Sequence, residues 1–98
     1  MVTIQIKVKF LGIFRGISGR EQFPLELKEF VSVGEVVKGL TEFLSPDFGR
    51  ILIDPELGDP RPNALILLNG REIGVLEGLE TKVMDGDEVV FIPVSHGG

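Results

Sequence analysis

One stretch of this chain has apolar residues at helical spacing, and it lies between stretches that alternate like strands. Val33, Val36, Val37, Leu40, Phe43 and Leu44 fall on one stripe. Ser32-Val33-Gly34-Glu35 opens the stretch with the pattern of a capping box, in which hydroxyl and carboxylate each satisfy the other residue's amide. Ser45-Pro46 closes it, because the residue before a proline is pushed out of the helical region. The spacing therefore predicts one main helix over residues 33–44. A single helix cannot enclose a core, so it must lie across one face of a sheet.

The rest of the chain supplies that sheet. Ile4, Ile6, Val8 and Phe10 alternate with Gln5, Lys7 and Lys9, the period of a half-buried strand. Residues 12–20 contain Gly12, Gly16 and Gly19 and read as a loop. Residues 22–27 alternate again and return as a second hairpin arm, which Pro24 places at an edge because it cannot donate to a ladder. Residues 47–63, with Pro55, Pro60, Pro62, Gly49 and Gly58, read as a long connection containing at most a short helical turn at 48–52. Residues 64–68 are apolar throughout, as in a strand covered on both faces. Asn69-Gly70 is a two-residue hairpin signal, with 71–75 as the return strand. Asp85-Gly86-Asp87 marks a turn, and residues 88–94 form a last apolar strand. The two most regular strands, the first and the last, belong in the middle. The expected fold is α+β: a mixed sheet of four or five strands in one domain over residues 1–94, followed by a flexible tail at 95–98.

Composition closes most chemistry. The chain has no cysteine, no tryptophan, no tyrosine and one histidine among 98 residues. No side-chain thiolate is available as nucleophile, metal ligand or sulfur donor. The net charge is −5 with scattered basic residues, whereas nucleic-acid binding demands clustered lysine and arginine. No apolar run is long enough to cross a bilayer, and the alternating N-terminus lacks the pattern of a signal peptide, so a cytoplasmic protein is expected. Gly12, Gly16 and Gly19 have no phosphate-cradling continuation, and Asp85-Gly86-Asp87-Glu88 lacks the spacing of a calcium loop. His96 has no neighbours to position it as a general base and reads as a spacer. No metal site and no bound cofactor are expected, and the chain is not expected to be an enzyme.

What remains is the end of the chain. Gly97-Gly98 has no side chains, so it can thread a narrow site. A terminal carboxylate there is ionised near neutrality and can attack a phosphate of ATP to form an acyl-adenylate.

The series Val83-Met84-Asp85-Gly86-Asp87-Glu88-Val89-Val90-Phe91-Ile92-Pro93-Val94 followed by the diglycine resembles the MoaD/ThiS-type sulfur carriers of the ubiquitin-like β-grasp superfamily. The first strand with Phe10, Leu11 and Arg15, then Gly19-Arg20-Glu21 and the Pro24 strand, is similar to MoaD-type proteins too. The resemblance implies that Gly98, made accessible by Gly97, is adenylated at the cost of ATP by an activating enzyme of the MoeB/ThiF type. A thiocarboxylate follows, which donates sulfur to a molybdopterin precursor or a transfer-RNA base. It also implies a partner surface that includes Leu11, Phe91, Ile92 and Pro93, with His96, Gly97 and Gly98 beyond it. The large subunit of molybdopterin synthase or a transfer-RNA-thiolation enzyme would be the next partner. Two departures stand out: extra length at residues 54–63, and Ser-His before the diglycine. Both are closer to the ubiquitin-related modifier and to small archaeal modifier proteins. In those the same adenylate is also attacked by a lysine amine, leaving an isopeptide.

Overall fold

A computed structural model describes residues 2–94. Strands β1 (Thr3–Phe10) and β2 (Gln22–Lys28) form the first hairpin, and helix α1 (Gly12–Ser18) lies between them. The main helix α2 (Val33–Phe43) is followed directly by α3 (Pro46–Leu52). Strands β3 (Ala64–Leu68) and β4 (Arg71–Glu72) form the second hairpin, and β5 (Glu88–Pro93) closes the sheet. The order across the sheet is β2-β1-β5-β3-β4, with β1 and β5 parallel and all other pairs antiparallel. This five-stranded mixed sheet is the β-grasp arrangement, with the first and last strands adjacent and β2 at an edge.

The capping box forms as the residues require. The Ser32 hydroxyl accepts from the Glu35 amide, and the Ser32 amide donates to Glu35 Oε1, both at 3.2 Å. Val33, Val36, Val37 and Leu40 bury one stripe of α2 against the sheet. Phe43, expected on that stripe, is exposed instead. Its ring stacks on Phe23 with centroids 6.2 Å apart, and the Arg20 guanidinium lies over both rings. The centre of the core is Phe10, whose ring sits 5.0 Å from Phe48 and 5.7 Å from both Phe23 and Phe91.

Four local expectations are corrected. Residues 12–18 are a helix rather than a loop, because Phe14 is buried against Phe48 and Gly19 closes the helix in the left-handed region. Helix α3 takes up the start of the supposed long connection: Pro46 ends α2 and also starts α3, while Phe48 and Leu52 are wholly buried. Strand β3 is covered on one face only, with Ala64, Ile66 and Leu68 inside and Leu65 outside. The return strand stops at Glu72, where the Glu72 carboxylate accepts from the Gly74 amide and a 3-10 turn carries Ile73 into the core.

The rest of the long connection, residues 54–63, is an organised loop. Asp54 Oδ1 accepts from the Glu56 and Leu57 amides, and the Asp54 amide donates to the Asp59 carbonyl. Arg61 grips the Asp59 carboxylate through Nε and Nη2, the latter at 2.5 Å. These bonds hold the Asp59 carboxyl below its ordinary value, against a smaller opposing effect of partial burial. A carboxyl with a depressed folded-state pKa contributes stability above its unfolded pKa, and that stability is lost as pH falls through the folded value. The loop should therefore loosen below about pH 4, near and under the ordinary value of 3.8. Exchange of the Asp54 amide, followed by hydrogen–deuterium exchange across that range, checks this. Asp59→Asn should flatten the dependence. The total effect should stay near 1 kcal/mol, as for other partly exposed pairs; no change in Asp54 protection would refute it.

Candidate functional site: the root of the tail and the outer sheet face

The end of β5 is fixed on both sides. The Leu11 amide donates to the Phe91 carbonyl at 3.1 Å, and the Val94 amide donates to the Asn63 carbonyl at 3.0 Å. Asn63 Nδ2 donates in turn to the Leu52 carbonyl at 3.2 Å, tying this point to α3. Gly12 has a φ of 55°, and a Cβ there would stand 2.7 Å from Pro93 Cγ. Glycine at 12 thus lets β1 turn into α1 in direct contact with the last residue of β5. The point from which residues 95–98 continue is held by β1, α1, α3 and the loop before β3. His96, Gly97 and Gly98 themselves lie outside the described residues.

Turn 85–87 fixes the other end of β5. Asp85 Oδ1 accepts from the Gln5 amide at 2.8 Å, and Asp87 Oδ2 accepts from the Met84 amide at 2.7 Å. Asp87 Oδ1 takes Asn69 Nδ2 at 2.9 Å, and Asn69 Oδ1 takes the Glu88 amide at 2.8 Å. These side chains lace β1, β5 and the β3–β4 turn together. Asn69 and Gly70 both have positive φ, as a two-residue hairpin turn requires. Among the described residues no cluster of three or more histidine, cysteine or acidic side chains could hold a metal. No described helix is long and apolar enough to cross a membrane.

Of the residues the resemblance placed on a partner surface, Phe91 is not available. Its side chain is 0% exposed, because alternation along β5 turns Val89 and Phe91 inward. Leu11 is 41% exposed, and Ile92 and Pro93 are half-buried. The structure adds neighbours that the sequence did not single out. Leu65 pairs with Ile92 and Leu67 with Val90 on the face away from the helices. Lys9 pairs with Val90 on the same face, and its ammonium meets Glu88 at 3.1 Å. Lys7 stands two pairs further along, opposite Glu88 and on the same face. The outer face of the sheet is therefore an apolar strip of Leu65, Leu67, Val90 and Ile92 running to Leu11 at the tail root, flanked by Lys7 and Lys9. Reading residues 64–68 as covered on both faces hid half of this strip. The alternation of Lys7 and Lys9 was the signal that one sheet face stays open.

This sheet, with its first and last strands adjacent and β5 fixed at Val94, defines a ubiquitin-like β-grasp protein. The sequence pattern of the ThiS family matches residues 8–98, and the chain belongs to that family. It is 32% identical to small archaeal modifier protein 3 of Haloferax volcanii over 95 residues, 96% of this chain and all of that one. A protein described as a sulfur carrier in Archaeoglobus fulgidus is 36% identical over 70 residues, 71% of this chain and 77% of that one. The solution structure of small archaeal modifier protein 1 from Methanosarcina acetivorans superposes with a TM-score of 0.81 at 30% identity, covering both chains completely. The chain is thus a small sulfur carrier or ubiquitin-like modifier and not a catalyst.

Proposed function

We propose that this chain is the sulfur carrier of an ATP-dependent activation cycle, with Gly98 as the attachment point. An activating enzyme of the MoeB/ThiF type binds the outer sheet face and takes residues 95–98 into its active site. The Gly98 carboxylate attacks the α-phosphate of ATP, and pyrophosphate leaves. A sulfur nucleophile then attacks the acyl carbon and AMP leaves, generating the thiocarboxylate. That sulfur comes from outside, since the chain has no cysteine. ATP belongs to the enzyme, and the carrier binds no cofactor.

The observation that carries this reading is the clamped root at Leu11, Pro93 and Val94. Four residues reach at most about 14 Å. A carboxylate on so short a thread reaches a recessed site only if the domain itself is seated accurately. A rigid root beside an apolar, lysine-edged face suits that task, and Leu11, Ile92 and Pro93 join both features. His96 serves as spacer. A partner complementary to this face presents apolar side chains with acidic ones opposite Lys7 and Lys9.

The acceptor of the sulfur is a molybdopterin precursor, with the large subunit of molybdopterin synthase as partner, or a base of transfer RNA, reached through a thiolation enzyme. A second reading is favoured by the likeness to small archaeal modifier proteins: a lysine amine attacks the same adenylate and forms an isopeptide. Both are tested by intact-mass measurement after incubation with ATP, the activating enzyme and sulfide. The carrier reading expects the mass increase of one oxygen replaced by sulfur, abolished by deletion of Gly98. ATP-dependent adducts with lysine-bearing proteins, without that increase, would replace it by the modifier reading. Neither product, with an enzyme proven active on another carrier, would sink both.

A further inference from the structure

The pole of the sheet away from the tail root carries a feature that the carrier chemistry does not use. Phe30 closes the turn between β2 and α2 with a φ of 65°, in the left-handed region that bulky side chains rarely adopt. The backbone around it is held: the Val83 amide donates to the Val31 carbonyl at 3.0 Å, and the Val33 amide donates to the Thr81 carbonyl at 2.8 Å. The strained residue is nonetheless not recruited to the core. Its ring is 78% exposed, and Val2 and Met84 beside it are also largely exposed. The three line one shallow groove with Thr3, Glu29 and Asp85. Glycine or asparagine would make this turn at lower cost, and a ring in water adds nothing to folding. A strained backbone that presents an aromatic ring next to methionine and valine is the signature of a contact surface.

Charge identifies what fits there. Among the described residues, the ionised groups that line the groove are two carboxylates, and neither forms an ion pair there. Asp85 uses Oδ1 for the Gln5 amide, and its other oxygen takes no hydrogen bond among the described residues. Lys28, opposite Thr3 in the β1–β2 register, stands at the margin and not in the groove. A second copy would set these carboxylates against their own equivalents. We propose that the groove of Val2, Phe30 and Met84, edged by Glu29 and Asp85, docks a segment of a partner protein that carries apolar side chains beside a lysine or arginine. Strand β1 separates this groove from the tail root by seven residue steps, roughly 23 Å. An occupant there stays clear of Leu11, Ile92 and Pro93, so one protein can hold the domain at this pole while another meets the opposite one. The inference stands on this pole alone and does not require the carrier chemistry.

Two synthetic peptides of equal length, one alternating leucine with lysine and one alternating leucine with glutamate, test it by NMR titration of the isotope-labelled full-length protein. The lysine peptide should shift the Val2 and Phe30 signals and the Met84 methyl saturably, leave Leu11 and Leu65 unmoved, and bind about ten-fold more weakly or worse to Phe30→Ala. Glu29→Gln should weaken it further in low salt, and circular dichroism should report an unchanged fold for both variants. Equal binding of the glutamate peptide, shifts spread evenly over the surface, or affinity indifferent to Phe30→Ala would each overturn the proposal. Shifts at the same residues that grow with protein concentration alone would assign the groove to a second copy instead.

Discussion

Truncation of Phe10 to alanine is expected to destabilise the domain by about 3–5 kcal/mol, the range for removing a fully buried ring. Phe10 is wholly buried, and its ring lies within 5.7 Å of Phe23, Phe48 and Phe91, which belong to β2, α3 and β5. The cavity left behind would be walled by rings on three elements that β1 and α2 already hold, so it could collapse only in part. In a domain this small each kcal/mol moves Tm by roughly 4–8 °C, so the midpoint should fall by at least about 12 °C. A stability near 5–15 kcal/mol leaves little margin for that loss. Thermal unfolding by circular dichroism measures it. Phe43→Ala is the comparison: that ring is 60% exposed and should cost about 1 kcal/mol or less. Equal losses for the two variants would mean that Phe10 is not the centre of this core.

Replacement of Leu65 by glutamate should leave the fold standing and cut activation by about ten- to hundred-fold in kcat/KM, as for a hot-spot residue at a protein interface. Leu65 is 38% exposed on the outer face and pairs with Ile92, two residues before Val94, where the tail root is held. A carboxylate there would be desolvated on docking and would repel the acidic partner that Lys7 and Lys9 favour. Leu57→Glu is the control, on the loop of residues 54–63 and more exposed still. Pyrophosphate release with the activating enzyme gives the rates. A large loss at 65 with none at 57 supports docking through the sheet face. Equal effects would move the docking surface elsewhere, while the Gly98 deletion would still report on the chemistry.

The legible parts of this protein are the locally encoded ones. The Ser32–Glu35 box, the alternation of β1, the Asn69-Gly70 turn and the edge position of Pro24 each follow from residues within a few positions of each other, and each stands in the structure. Helix α1 was not legible because seven residues with two glycines carry too little period, and such a short helix is stable only through packing. Here that packing is Phe14 against Phe48, 34 positions away. Helix α3 was legible only as a possible turn, for the same reason.

The candidate site divides along the same line. The absence of cysteine, the diglycine and the apolar last strand are properties of the chain, and the proposed site at Gly97-Gly98 rests on them together with the family resemblance they carry. Which side chains of β3 and β5 meet a partner is a property of the sheet. A uniformly apolar strand does not say which of its faces a helix will cover, and only the seat of α2 across one side turns Phe91 inward and leaves Leu65 outside. The clamp on Val94 likewise needs Leu11, Gly12, Asn63 and Leu52 brought together from three separate stretches of sequence. Local periodicity and capping chemistry determined most of the elements; long-range burial decided which face of the sheet is open and where the end of β5 is held.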